Sequence, residues 1–153
     1  MIRVQKIVYP TDFSSYSNQA YFHALGMADA YGADLTIVYV YNPGGEGEDG
    51  SGSDRRYWRN QLEQIRPSNP NIRVQHVFLE GDPAGQIVRY ADDIGADVIV
   101  LGTHGRTGVD RLVLGSVAEK VMRDSTCSVL VVKLPRGVRN SERPYVEPVG
   151  GGV

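Results

Sequence analysis

Glycines at positions 102, 105 and 108 follow the apolar run 98–101, and Gly115 and Ser116 open the next helical pattern. Glycine lets backbone N–H groups approach an anion closely and take up positive φ. A helix N-terminus adds unpaired N–H groups and the positive end of its dipole. Arg106 stands in this loop with a guanidinium suited to paired phosphate contacts. Ser116 brings a hydroxyl that can cap the helix or donate to a phosphate oxygen. The chemistry on offer is anion binding. The spacing is not that of a P-loop, because no Gly-Lys-Ser/Thr occurs, nor of the dinucleotide fingerprint, which needs G-x-G-x-x-G after the first strand. On these residues alone, an anion cradle and a plain structural loop stand level.

A second half-site lies near the start of the chain. Asp12 sits just past the first apolar run, 6–9, within Tyr9-Pro-Thr-Asp-Phe-Ser14. Ligands of open parallel sheets bind at the carboxyl ends of the strands, where successive connections diverge to opposite faces. A carboxylate there can accept hydrogen bonds from a ribose hydroxyl or a base amine, or Asp12 and Ser14 can simply cap the following helix. His104 could serve as a base or metal ligand, but no second ligating residue stands at metal spacing beside it. Cys127 precedes an apolar run with no basic partner nearby, so it reads as a small packing residue. Tyr57 and Trp58 read as packing residues too. Tyr39 and Tyr41 are equally compatible with bordering a base and with ordinary strand and loop positions.

The elements that would position these groups are legible as periodicity. Runs 6–9, 35–40, 98–101 and 129–132 are continuously apolar or nearly so and rich in β-branched residues, as in strands covered on both faces, whereas 72–79 alternates like a half-exposed edge. Between them, Tyr21, Ala24, Leu25 and Ala28 share one helical face, ended by Gly32. Asp82-Pro83 reads as an N-cap and first-turn proline, with Ile87, Ala91 and Ile94 as the stripe behind it. Ser116 and Glu119 have capping-box spacing. The order β-α-β-α-β-α-β-α-β predicts a doubly wound α/β domain with helices on both faces of a parallel sheet. Segment 42–53 is glycine- and acid-rich and reads as a mobile loop, leaving only 54–66 for the second helix. Residues 1–134 form the expected domain, and 135–153, without periodicity, a flexible tail.

Composition narrows the function classes. A chain of 153 residues with 41% apolar and 22% charged residues is an ordinary globular domain. Its formal net charge of −2 gives no electrostatic argument for nucleic acid or an anionic membrane. Cys127 is the sole cysteine, and the chain starts directly in a strand pattern with no apolar leader. A reducing, cytoplasmic setting is the expectation.

The run 102–132 resembles the universal stress protein family. The family's nucleotide motif, G-x2-G-x9-G followed by Ser or Thr, is met by Gly102, Gly105, Gly115 and Ser116. His104-Gly-Arg-Thr-Gly108, Leu112-Val-Leu-Gly-Ser-Val-Ala-Glu-Lys-Val121 and Ser128-Val-Leu-Val-Val132 carry the likeness further, as does Tyr9-Pro-Thr-Asp-Phe-Ser14. The resemblance spans residues 2–134. One departure is Cys127-Ser128, where many relatives read Cys-Pro.

That resemblance implies a five-stranded sheet of order 3-2-1-4-5, with the first and fourth strands adjacent. It implies that Asp12 contacts ribose or base beside a wall of Pro10 and Thr11, and that Val40 packs on adenine. Gly102, Thr103, His104, Gly105, Arg106, Gly115, Ser116 and Val117 would surround ribose and phosphates, with Mg or Mn bridging the phosphate oxygens of ATP. The last strand reads as an apolar edge, which invites pairing, and the resemblance implies a homodimer joined there through Val129, Leu130, Val131 and Val132. The expected role is an ATP-binding stress or signalling protein with the nucleotide as regulatory or structural ligand. The alternatives are a slow ATPase or phosphotransferase, and a dimeric interaction protein that needs no nucleotide.

Overall fold

The computed structural model describes residues 2–45, 47–104 and 114–133. All five apolar runs are strands, and a helix stands between each successive pair. The elements are β1 (Lys6–Pro10), α1 (Ser15–Tyr31), β2 (Asp34–Tyr41), α2 (Gly52–Glu63), β3 (Val74–Glu80), α3 (Pro83–Ile94), β4 (Val98–Gly102), α4 (Ser116–Asp124) and β5 (Ser128–Val132). The strands form one parallel sheet of order β3-β2-β1-β4-β5. Register places Ile7 between Leu35 on one side and Val98 on the other. Both the doubly wound fold and its strand order are therefore as expected.

The strands are apolar on both sides because both sides are covered. Ala20, Tyr21, Ala24 and Ala28 of α1 and Trp58 and Leu62 of α2 pack with Ile7, Tyr9, Leu35, Ile37, Tyr39 and Tyr41. Ala84, Ile87 and Ala91 of α3 and Ala118 and Val121 of α4 pack on Val8, Val38, Val40, Ile99 and Leu101 across the sheet. Burying each such large side chain is worth about 1.5–3 kcal/mol. Only the two edge strands depart: β3 is half-buried, and β5 leaves Leu130 exposed while burying Val132.

Local chemistry sets the boundaries. The Ser14 side chain accepts from the Ser17 N–H to cap α1, and Gly32 ends it at φ 63°, a left-handed conformation that favours glycine. Asp82 caps α3 by accepting from the Gly85 N–H. β3 begins at Val74 rather than Ile72, because the Ile72 N–H donates to Asn69 O in a turn. α2 begins at Gly52 rather than residue 54, because Ser51 is its cap, accepting from the Asp54 N–H. The capping box at Ser116 does not form: Gly115 holds the cap position, with no side-chain cap bond, and Ser116 is the first helical residue.

Segment 42–53, read from its composition as a mobile loop, makes specific contacts at its described residues. The Tyr39 hydroxyl donates to Glu48, whose second oxygen accepts from the Asn42 N–H at 2.6 Å. The Tyr41 hydroxyl donates to Asp54 and accepts from the Gly50 N–H at 2.8 Å. Arg55 pairs with Glu80 at 2.6 Å and lies over the Tyr41 ring. Burial, and then the bond to Asp54, pushes the Tyr41 hydroxyl above its ordinary pKa. The tail 135–153 lies outside the described residues, and no described helix is long and apolar enough to cross a membrane.

The α3 cap carries a pH dependence. The Gly85 N–H, and then Lys120 at 3.2 Å, hold the Asp82 carboxyl below the ordinary carboxylate range. A carboxyl lowered by folding stabilises the native state above its unfolded value, and that contribution is lost as pH falls below about 4. Asp82→Asn keeps a capping oxygen but not the charge. The drop in urea midpoint between pH 7 and pH 3 should therefore be smaller in this variant than in the wild type.

Candidate functional site

The turn from β1 into α1 is built around a buried serine. Ser17, in the first turn of α1, accepts from the Asp12 N–H at 3.2 Å and donates to Thr11 Oγ1 at 3.3 Å. The Tyr9 hydroxyl donates to the Ser17 carbonyl at 2.7 Å. Thr11 Oγ1 also accepts from the Phe13 N–H at 3.0 Å, and the Thr11 N–H donates to Val38 O across the sheet. Asp12 Oδ1 accepts from the Ser14 N–H at 3.0 Å, leaving the half-buried carboxylate at the rim of the turn. The two sequence readings of this segment are thus divided: Ser14 caps α1, while Asp12 shapes the turn ahead of it. Sequence reasoning overlooked Ser17, although its three-residue spacing from Ser14 was the available signal.

Phe13 makes the turn unusual. It has φ 66°, is fully buried, and is the one described non-glycine residue with positive φ. A bulky residue held there carries about 1–3 kcal/mol of backbone strain. Its ring lies 5.2 Å from Tyr39 and 5.5 Å from Trp58, centroid to centroid. Trp58 stacks on Tyr39 as well, at 5.5 Å and 19° between planes. Trp58 is a packing residue, as its sequence suggested.

The end of β4 meets the first turn of α1. A Cβ on Gly102 would lie 2.5 Å from the Tyr16 carbonyl oxygen, so this position requires glycine for packing alone. The Thr103 N–H donates to Val132 O at 3.2 Å, and the Thr103 carbonyl accepts from the Gly115 N–H at 2.7 Å. That last bond closes the base of the loop and brings the α4 N-terminus back to β4. His104 is buried, its ring 4.8 Å from Tyr16 and its Nδ1 3.1 Å from Thr103 Oγ1. Gly105 and Arg106 lie outside the described residues. Ser116 is exposed and Val117 half-buried at the start of α4, where the first-turn N–H groups lack helical acceptors. Glu119 stands in the same turn and Lys120 follows it.

Because β2, β1 and β4 are adjacent and parallel, Val40, Pro10-Thr-Asp12 and Gly102-Thr-His104 lie at one edge of the sheet. α1 packs on one face of the sheet and α4 on the other, and such a switch point is where open parallel sheets form a ligand crevice. Val40 faces the α3 and α4 side. Tyr39 and Tyr41 face the opposite side, with their hydroxyls on Glu48 and Asp54, so they do not border the crevice. Among the described residues no group of three His, Cys, Asp or Glu side chains could hold a metal ion. Cys127 is half-buried with its Sγ 3.3 Å from Ser125 Oγ. Val129, Leu130, Val131 and Val132 lie on β5, one of the two edge strands.

Comparison with known proteins is consistent over most of the chain. Residues 3–133 match the model of the universal stress protein family. The universal stress protein MJ0531 of Methanocaldococcus jannaschii is 36% identical over 142 residues, covering 86% of this chain and 84% of its own. The solved structure of the protein MJ0577, reported as a structure-based assignment of biochemical function, superposes with a TM-score of 0.74. It is 26% identical and covers 89% of this chain and all of its own. A universal stress protein solved in complex with cAMP is 28% identical, with a TM-score of 0.61, covering 86% and 98% of the two chains.

Gly102→Ala should lower stability by about 1–3 kcal/mol, the usual penalty for overpacking a filled site. Urea denaturation checks this without any ligand.

Proposed function

This chain belongs to the universal stress protein family, and on that footing we propose that it binds ATP as a regulatory or structural ligand in stress response or signalling. The observation that carries the reading is the meeting of the Asp12 turn and the Gly102–Gly115 loop base at the ends of adjacent strands. The motif spacing of Gly102, Gly105, Gly115 and Ser116 and the relative bound to cAMP support an adenine nucleotide.

In this reading Asp12 accepts from ribose or base, beside Pro10 and Thr11, and Val40 supplies an apolar surface for adenine. Thr103, His104, Gly105 and Arg106 flank the ribose and phosphates. Gly115, Ser116 and Val117 present the α4 N-terminus, whose free N–H groups and dipole favour a phosphate. The Gly115 N–H is already engaged by Thr103, so the donors offered to phosphate are those after it and the Ser116 hydroxyl. Mg or Mn would arrive with the nucleotide, held by phosphate oxygens rather than by a protein cage. The buried His104 ring, packed on Tyr16 and engaged by Thr103, favours a binding role over water activation.

The same reading includes a cytoplasmic homodimer. β5 presents Leu130 and half-buried Val129 and Val131 on an edge strand, and a second β5 would satisfy its open backbone groups. Residues 1–134 are the nucleotide-binding domain in this proposal, with 135–153 appended.

Titration calorimetry with ATP and magnesium tests the site: binding is expected, and no heat at millimolar nucleotide sinks the proposal. Asp12→Ala should weaken binding about tenfold, the scale of one hydrogen bond to a charged group, while Gly115→Leu should abolish it. For the dimer, sedimentation of Leu130→Glu should give monomer where the wild type gives dimer, since like charges would face across the joined strands.

A further inference from the structure

The Asp12 turn is held from a distance. Phe13 follows Asp12 at positive φ, and across it the Asp12 carboxylate accepts from the Ser14 N–H. Such a conformation persists in a bulky residue only where its surroundings over-determine it. For Phe13 those surroundings are aromatic. Trp58 lies against the Phe13 ring at 25° between planes and against Tyr39 at 19°, so the indole spans the strained residue and the strand beside it. Tyr57 meets the same indole edge-on, at 5.1 Å. None of these rings touches the crevice itself: Phe13, Tyr39 and Trp58 all belong to the core on the α1 and α2 face.

We infer that Trp58 is a positioning residue for Asp12, acting through Phe13 to hold the carboxylate where a nucleotide would meet it. Shrinking the indole frees the Phe13 ring, the backbone relaxes towards negative φ, and the bond from the Ser14 N–H to Asp12 is lost. The consequence for ligand binding rests on the nucleotide site proposed above. The consequence for the turn does not, and the two are measured separately.

The first measurement needs no ligand. In Trp58→Leu, amide hydrogen exchange at Ser14 should accelerate while β1 amides such as Val8 keep their protection, and Trp58→Phe should restore Ser14. Unchanged Ser14 exchange in a folded Trp58→Leu protein overturns the inference. If Trp58→Leu does not fold, Phe13→Gly and Phe13→Ala decide instead. Both remove the ring, but only glycine accepts positive φ without strain, so Ser14 protection should survive in the glycine variant and fail in alanine. Equal loss in both rejects the inference.

The second measurement is ATP affinity, with inorganic triphosphate as the control that bypasses Asp12. Trp58→Leu should weaken ATP about tenfold, the scale of one charged hydrogen bond, and leave triphosphate unchanged. In an Asp12→Ala background the same substitution should add nothing, since coupled residues are not additive. Additive losses, or equal weakening of both ligands, would show general loosening and overturn it. A wild type that binds no ATP removes the nucleotide reading, and the claim about the turn then stands or falls on Ser14 exchange.

Discussion

The arrangement depends on how close the end of β4 comes to the first turn of α1. With hydrogen as its side chain, Gly102 lets the Tyr16 carbonyl sit where a methyl group would otherwise be. That approach lets Tyr16 lie on His104 and sets the depth at which α1 starts. The start of α1 carries Ser14 and Ser17, and so the Asp12 turn. One missing methyl therefore fixes the spacing between the two halves of the crevice. The first glycine of the motif is explained by packing before any ligand is considered.

On the β1 side the constraint is polar and strained rather than steric. The Ser17 hydroxyl donates to Thr11 Oγ1 and accepts from the Asp12 N–H, while its own carbonyl takes the Tyr9 hydroxyl. Buried polar groups of this kind contribute only modestly when satisfied, yet a missing partner costs more than the bond supplied. The network thus specifies one shape for the turn. Phe13 adds strain to that shape and a large buried ring that offsets it.

How much of this could be read from the chain depended on whether the cause was local. The strands were legible because covered parallel strands are apolar at every position, and the α3 start was legible because Asp82-Pro83 has one common use. The strand order came from the family resemblance, not from periodicity. Ser116 was misread because Gly115, one residue earlier, took the extended cap conformation. The contacts within segment 42–53 were not legible because composition showed nothing to bury, whereas its partners are the Tyr39 and Tyr41 hydroxyls, aimed at it by the pleat of β2. Phe13, at positive φ, is packed against β2 and α2, which no local pattern encodes. The hub role of Ser17, in contrast, rests on partners within eight residues and had a local signal in its spacing from Ser14.

Those two tyrosine contacts also act as an alignment gauge for the sheet. Tyr39 and Tyr41 stand two residues apart on β2, so their rings share a face, and each holds a carboxylate of the segment that follows. A strand that slid by one position would turn both hydroxyls to the far side together. Glu48 and Asp54 would then lose the two tyrosine hydroxyls in a single event. Correct pairing of β2 between β1 and β3 is therefore reported by a clasp that closes only in one alignment, at the rim where two core tyrosines meet the following segment.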